Sequence, residues 1–312
     1  MTSGNTRSGR ADGPRGTSSR VSVAARGSRA SHTAVRGGRT TPSLFHITHS
    51  TQGRIALTRN HDELRDLVSA VSRACRALAL FCAVDDHLHL VPRTALPRFL
   101  ARDVIRSIHR VLPDARFQTP FVRPVASRKH LERLVSYLLG QPRHHALPVH
   151  PALWPGACLP DLLGARLLPG FDPRVLAGEL PRLRGRDLLR AVALPDRPFE
   201  PAGDEQLAEV GLEGLIGLAV DVFAVSAQLV GRCERVVAAR TLIAQAAARV
   251  GLRRGAVAER LRVTDRGMRR LVQRQLGPAP HEALRRALSL RLLVRDAVPI
   301  DVHLRAGEVG VR

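Results

Sequence analysis

Several residue types are scarce in this sequence of 312 residues. Aromatic residues make up 3% of the chain, lysine occurs once, at Lys129, and tyrosine occurs once, at Tyr137. Proteins that recognise RNA commonly stack its bases on aromatic rings. The low aromatic content therefore argues against an RNA-binding protein, for which the charge of the chain would be the only support.

Cysteine is also scarce, and no apolar run is long enough to span a membrane. The cysteines, which show no close metal-ligand spacing, are Cys75, Cys82, Cys158 and Cys233. A disulfide framework is not expected in a chain of this size, so we expect reduced thiols. Because the N-terminus lacks the apolar core of a secretory signal, we expect a soluble cytoplasmic protein.

Acidic residues are too few to balance the basic ones. The chain has 49 Lys and Arg against 27 Asp and Glu, which gives a net charge of +22. Codon usage in a GC-rich genome can explain the preference for arginine over lysine, but not the excess of bases over acids. The charge predicts a polyanionic partner such as DNA, and hence a nucleoid-associated protein.

Composition divides the chain into four parts. Residues 1–42 carry eight arginines against a single acid, Asp12, and we expect a disordered basic tail that is either a DNA-gripping arm or a dispensable leader. Residues 43–150 alternate between strand and helix patterns. Residues 151–203 are interrupted by proline and glycine and are predicted to form a linker with short helices, before a mainly helical domain at 204–312.

The apolar pattern within residues 43–150 predicts individual elements. We expect strands at 44–48, 80–84 and 87–91, an edge strand broken by prolines at 117–125, and helices at 62–78, 96–112 and 128–139. This order predicts an α+β fold, with helices covering one face of a mainly antiparallel sheet.

Two histidines stand one residue apart on a predicted strand, at His87 and His89. Alternate residues of a strand share a face, so both imidazoles can converge on one ion. A His-x-His pair also arises by chance in a chain with 13 histidines. The pair therefore predicts a metal site only in combination with other residues.

Tyr137 and Gln141 supply that combination. Side chains four residues apart point the same way on a continuous helix, and Gln141 offers an amide oxygen to a metal. Gly140 and Pro142 predict that the helix ends near this point, which leaves Gln141 just past its end. Taken singly, Tyr137 is better interpreted as an ordinary half-buried aromatic residue.

Together these segments resemble the single-tyrosine HUH transposases, and especially the REP-associated tyrosine transposases. Residues 82–91 are similar to the family's His-hydrophobe-His strand, residues 134–142 to its nucleophile helix, and residues 45–48 to its first strand. The resemblance covers about residues 44–147. Two departures are Asp86, where the family usually has asparagine, and a segment at 105–118 that lacks the family's usual aromatic and basic residues.

The resemblance implies an HUH endonuclease-like fold, which is ferredoxin-like and RRM-like, and it implies a reaction. His87, His89 and Gln141 would hold a divalent metal, Mg or Mn, that polarises the scissile phosphate. Tyr137 would attack the phosphorus of single-stranded, hairpin-containing DNA and leave a 5′-phosphotyrosine. The alternative is a domesticated transposase or DNA-binding regulator that keeps the fold without cutting. Whether the active unit is a monomer or a dimer stays open.

A second DNA-binding element is predicted near the C-terminus. A short helix at 256–261, a turn at Arg262 and Val263, and a helix capped by Thr264 or Asp265 form a helix-turn-helix pattern. The second helix would present Arg266, Arg269 and Arg270 to duplex DNA. The following residues, 276–284, resemble the segment after this motif in AraC-type regulators. The competing interpretation is a solvated basic face on a helical bundle.

Overall fold

Four strands form the sheet in a computed structural model that describes residues 43–297. They are β1 (Ser43–Ser50), β2 (Leu78–Ala83), β3 (His87–Thr94) and β4 (Phe121–Pro124). All neighbours are antiparallel, in the order β2-β3-β1-β4. The predicted α+β class with an antiparallel sheet is confirmed, whereas the predicted basic tail at 1–42 lies outside the described residues.

Three helices alternate with these strands. They are α1 (His61–Ala74), α2 (Pro97–His109) and α3 (Arg128–His144). Asn60 caps α1 by accepting a hydrogen bond from the amide of Glu63, and Ser127 caps α3 in the same way from His130. Unpaired amides at a helix start need such acceptors. The apolar faces of all three helices contribute to one core with the sheet.

Helix α3 does not end where the sequence predicted. It continues through Gly140 and Pro142 to His144, although Pro142 has no amide to donate to the carbonyl one turn earlier. The amide of His145 donates to the carbonyl of Gln141 at 3.0 Å. Gln141 is therefore a helical residue, one turn beyond Tyr137.

Residues 151–203 contain the expected short helices but pack as part of the core, which differs from the linker predicted. Their elements are a 3-10 turn (Pro151–Leu153), α4 (Leu159–Leu162), α5 (Pro173–Glu179) and α6 (Gly185–Ala191). The amide of Ala83 in β2 donates to Gly156, and that of Leu78 donates to Gly170. The segment thereby covers the outer edge of β2, which would otherwise expose unpaired backbone groups.

Two features hold this segment in place. Gly170 has a φ of 79°, and a Cβ there would collide with the carbonyl oxygens at the end of α1, so only glycine fits. Asp161 and Arg166 form a buried ion pair, with Arg166 Nε 3.0 Å from both carboxylate oxygens. Arg166 also donates to the carbonyl of Pro155 at 2.6 Å. Together these contacts fix the loop against the sheet.

The remaining described helices build a second core. They are α7 (Asp204–Glu209), α8 (Gly211–Phe223), α9 (Glu234–Arg249), α10 (Arg254–Arg260), α11 (Asp265–Gln273) and α12 (Pro278–Ala297). Helix α12 belongs to both cores, because Leu284 and Leu288 pack in the second and Leu290 and Leu293 in the first. None of the helices within residues 43–297 is long and apolar enough to cross a membrane.

Candidate active site

The register of the sheet gathers the predicted histidines on one face. His89 lies opposite Thr48 of β1, and His87 lies opposite Ser50. Residues directly opposite each other in an antiparallel pair point to the same side. One face therefore carries His87, His89 and Thr48, while Leu88 and Leu90 point to the other.

His89 is held by hydrogen bonds at one ring nitrogen and free at the other. Its Nδ1 lies 3.1 Å from Thr48 Oγ1 and 3.1 Å from His46 Nε2. A proton on Nδ1 can be donated to either acceptor, and this tautomer leaves a lone pair on Nε2. The Nε2 atom is buried and has no hydrogen-bond partner. An uncompensated buried nitrogen is costly in an apolar surrounding, and it is suited to binding an ion.

His87 is oriented by its neighbour in the chain. Its Nδ1 lies 2.7 Å from Asp86 Oδ1, so the N–H donates to the carboxylate and Nε2 again keeps its lone pair. The hydrogen bond from His87 lowers the pKa of Asp86 below its usual range. Metal-binding histidines commonly donate their second N–H to a carboxylate in this way. The Asp86 carboxylate thus provides an orienting partner for His87.

Helix α3 lies over these histidines. The ring of Tyr137 is 5.4 Å from that of His89, and the ring of His145 is 5.0 Å from that of His87. Tyr137, Gln141 and His145 follow one another at intervals of four residues, which places them in one row. Gln141, which is 2% exposed, therefore lies between the two contacts, while Tyr137 is 48% exposed.

The electrostatic environment keeps two imidazoles neutral. Burial lowers the pKa of His89 to about 3, with further contributions from His87, His46 and His145. Burial also lowers the pKa of His46 to about 4, helped by His130 and Arg123. Metal coordination requires neutral imidazole, and these side chains meet that requirement near neutral pH.

A metal ion at this place would need an amide ligand. Across residues 43–297, no group of three or more His, Cys, Asp or Glu side chains is placed to hold an ion. His87 and His89, whose ring centroids are 4.6 Å apart, offer two ring nitrogens, and Gln141, which follows Tyr137 in the row on α3, carries an amide oxygen. The buried, unpartnered Nε2 of His89 is the feature of this set that fits a cation.

Some members of the site were not predicted from the sequence. The sequence pattern included His46 and Thr48 only as part of the segment 45–48, without a role for either residue. It did not single out His145. His46 and Thr48 are two residues apart on a strand, as His87 and His89 are, so alternation could have placed them on one face. His145 required knowledge that α3 continues past Pro142.

The segment that was predicted to be a helix-turn-helix forms two short helices, α10 and α11, in the second core. Helices α10 and α11 contact each other, and Thr264 caps α11 by accepting from the amide of Gly267 at 3.1 Å. Arg266, Arg269 and Arg270 are exposed on α11. Arg269 pairs with Asp265 at 2.7 Å, whereas within the described residues Arg266 and Arg270 form no ion pair.

Comparisons with protein families, with curated proteins and with solved structures found no match.

Proposed function

We propose that this protein is a single-strand DNA endonuclease and strand transferase of the HUH single-tyrosine type. The observation that carries the proposal is the row on α3: Tyr137 contacts His89, His145 contacts His87, and Gln141 lies between them. A tyrosine with a purely structural role has no need for an oriented imidazole beside its exposed ring. A nucleophile that attacks a metal-bound phosphate does need the metal ligands close to it.

The fold class supports the same proposal. From Ser43 to Pro124 the order of the strands and α-helices is strand, helix, strand, strand, helix, strand, and the strand order is β2-β3-β1-β4. This is the order of a split βαβ, or ferredoxin-like, unit. A further helix, α3, then carries Tyr137 onto the face of the sheet that bears the histidines. That arrangement is the one expected for an HUH endonuclease-like domain.

Each residue of the site has a separate role in the proposed reaction. His87, His89 and Gln141 would hold the divalent metal, Mg or Mn, which supplies Lewis-acid polarisation of the phosphate when bound. Asp86 orients His87, and Thr48 with His46 orients His89, through the hydrogen bonds at Nδ1. Fixing the tautomers in advance removes a reorganisation cost from the reaction.

Tyr137 is the proposed nucleophile. Its Oη forms a bond to phosphorus, and the bond from phosphorus to the 3′-oxygen breaks. The phenol loses its proton in this step, and the leaving 3′-oxygen gains one. The product is a 5′-phosphotyrosine and a free 3′-hydroxyl. Because the phosphodiester energy is conserved in this link, a 3′-hydroxyl can attack it and rejoin the strand without ATP.

The test is formation of a covalent adduct. The full chain is incubated with labelled hairpin-containing single strands and Mg or Mn, and adducts are separated by denaturing electrophoresis. We expect an adduct with the wild type and none with Tyr137→Phe, which keeps the ring and loses only the nucleophilic oxygen. Unchanged DNA binding by the variant is the control. An adduct formed by Tyr137→Phe would remove Tyr137 from its role.

A second candidate function is duplex DNA binding by α10 and α11, alone or as the targeting part of the nuclease. The capped second helix with exposed Arg266 and Arg270 favours it, because a recognition helix needs unpaired cations for phosphates and guanine edges. A protein with this activity and no adduct would be the non-cleaving regulator. Since α12 belongs to both cores, duplex binding is measured on the full chain.

A further inference from the structure

An exposed aromatic side chain lies on the same sheet face as the histidines. Phe121 of β4 is directly opposite Thr48 of β1, which is in turn opposite His89 of β3. The three side chains therefore share a face. Phe121 is 60% exposed, in a chain with only 3% aromatic residues. Exposure alone does not distinguish Phe121, because Phe99 is equally exposed, but its position on the face that carries the histidines does.

We propose that Phe121 is a stacking platform for a base of the single-stranded DNA that reaches Tyr137. The proposal rests on the proposed function and adds to it the way in which the strand is held. Every base presents a flat π-face, so stacking on an aromatic ring holds a single strand with little dependence on sequence. In duplex DNA the bases are already stacked on one another, so no free base face is available to the ring.

The charges around Phe121 suit the phosphates of such a strand. Arg123, the next residue but one on β4, lies opposite His46 and is exposed. Lys129 and Arg133 are exposed on α3, and Arg133 precedes Tyr137 by one helical turn. In the part of the chain that the structure describes, none of these three cations pairs with a carboxylate. They remain available to neutralise phosphates of a strand that reaches the nucleophile.

A partner protein that adds a strand to the sheet fits this edge less well. Strand β4 is an outer strand with only four residues, and it ends in Pro124 and follows Pro120. Proline has no amide to donate, and short proline-flanked edges resist strand addition. The neighbour Arg123 also interrupts any apolar patch around Phe121. An exposed ring with unpaired cations nearby in the chain suits a single base of a single strand better than it suits an added strand.

The experiment compares two equally exposed phenylalanines in the full chain. Phe99 on α2 is 62% exposed and does not belong to the sheet, so Phe99→Ala is the matched control for Phe121→Ala. Affinity for a short fluorescent single strand is measured by anisotropy in the Tyr137→Phe background, which prevents cleavage. A 2-aminopurine base placed along the strand reports stacking directly, and circular dichroism checks the fold.

We expect Phe121→Ala to weaken single-strand binding about 5- to 150-fold, which corresponds to about 1–3 kcal/mol. Phe99→Ala should bind like its parent. Phe121→Trp should restore binding and the 2-aminopurine response, whereas Phe121→Leu should not, because leucine is apolar without a π-face. Unchanged affinity in Phe121→Ala, or full restoration by leucine, would overturn the proposal.

The outcome is independent of the adduct assay. If the wild type forms no adduct but Phe121→Ala loses single-strand binding, the platform stands and the nuclease proposal fails. If the wild type forms an adduct and Phe121→Ala binds as tightly as its parent, the nuclease stands and the platform fails. A variant that loses duplex binding to the same extent as single-strand binding also contradicts stacking on an unpaired base.

Discussion

Replacement of His49 by leucine tests how burial of this histidine couples folding to pH. His49 is on β1 beside Ile47, is fully buried, and has no hydrogen-bond partner at either ring nitrogen. Its ring packs edge-on against Phe117. Burial lowers the pKa of His49 from 6.5 to about 4. Leucine is similar in size, has no proton to bind and leaves no polar atom unpaired.

The direction of the effect follows from the lowered pKa. Between about pH 6.5 and pH 4 the unfolded chain binds a proton at His49 that the folded chain excludes, so stability is lost as the pH falls through this window. One pKa unit corresponds to about 1.4 kcal/mol. Full acidification therefore costs about 3 kcal/mol at this residue, of which about 2 kcal/mol is already lost at about pH 5.

Urea unfolding at neutral pH and at about pH 5 measures this loss. We expect His49→Leu to lose about 2 kcal/mol less than the wild type over that interval. His46 and His89, whose pKa values are also lowered, should keep part of the acid sensitivity in the variant. His144→Gln removes an exposed imidazole and is the control. An acid loss in His49→Leu equal to that of the wild type would refute the argument.

Three further predictions concern other parts of the molecule. His87→Ala should suppress adduct formation, and added Mg or Mn should partly restore it; full activity at low metal would exclude His87 as a ligand. Arg166→Met should lower the free energy of unfolding by about 3–5 kcal/mol, because it leaves Asp161 buried without its partner; the double variant with Asp161→Asn should recover part of the loss, and additive losses would contradict this. Replacing Arg266 and Arg270 together by alanine should make duplex binding less dependent on salt. The slope of the logarithm of the binding constant against the logarithm of the salt concentration should fall by about one unit for each phosphate that the variant no longer neutralises. An unchanged slope would show that α11 faces away from DNA.

The sequence predicted the elements that have a regular apolar period. The stripe from Leu64 to Val71 identified α1, and the alternation around His87 and His89 identified β3 and the face they share. Helices α10 and α11 were predicted because a threonine cap and a turn separate two short apolar patterns. Such signals depend on neighbours in the chain, which is why sequence alone was sufficient.

Other features depend on contacts that are distant in sequence. Proline and glycine made residues 151–203 look like a linker, yet their amides and carbonyls pair with β2. Pro142 predicted a helix end, but α3 continues for two more residues and brings His145 to His87. The position of Phe121 beside Thr48 follows from strand pairing, which no local pattern specifies.

The contribution of α12 to both cores has a consequence for how the protein forms during its synthesis. Leu290 and Leu293 complete a core whose other members begin at Leu44, so about 250 residues separate the two ends of that core in the chain. Until α12 has been synthesised, the apolar surface that it will cover stays open to water. Contacts this distant in sequence slow folding, and surfaces exposed in the meantime are prone to aggregation. A nascent chain stalled before residue 290 should therefore bind chaperones, and a chain extended beyond α12 should not.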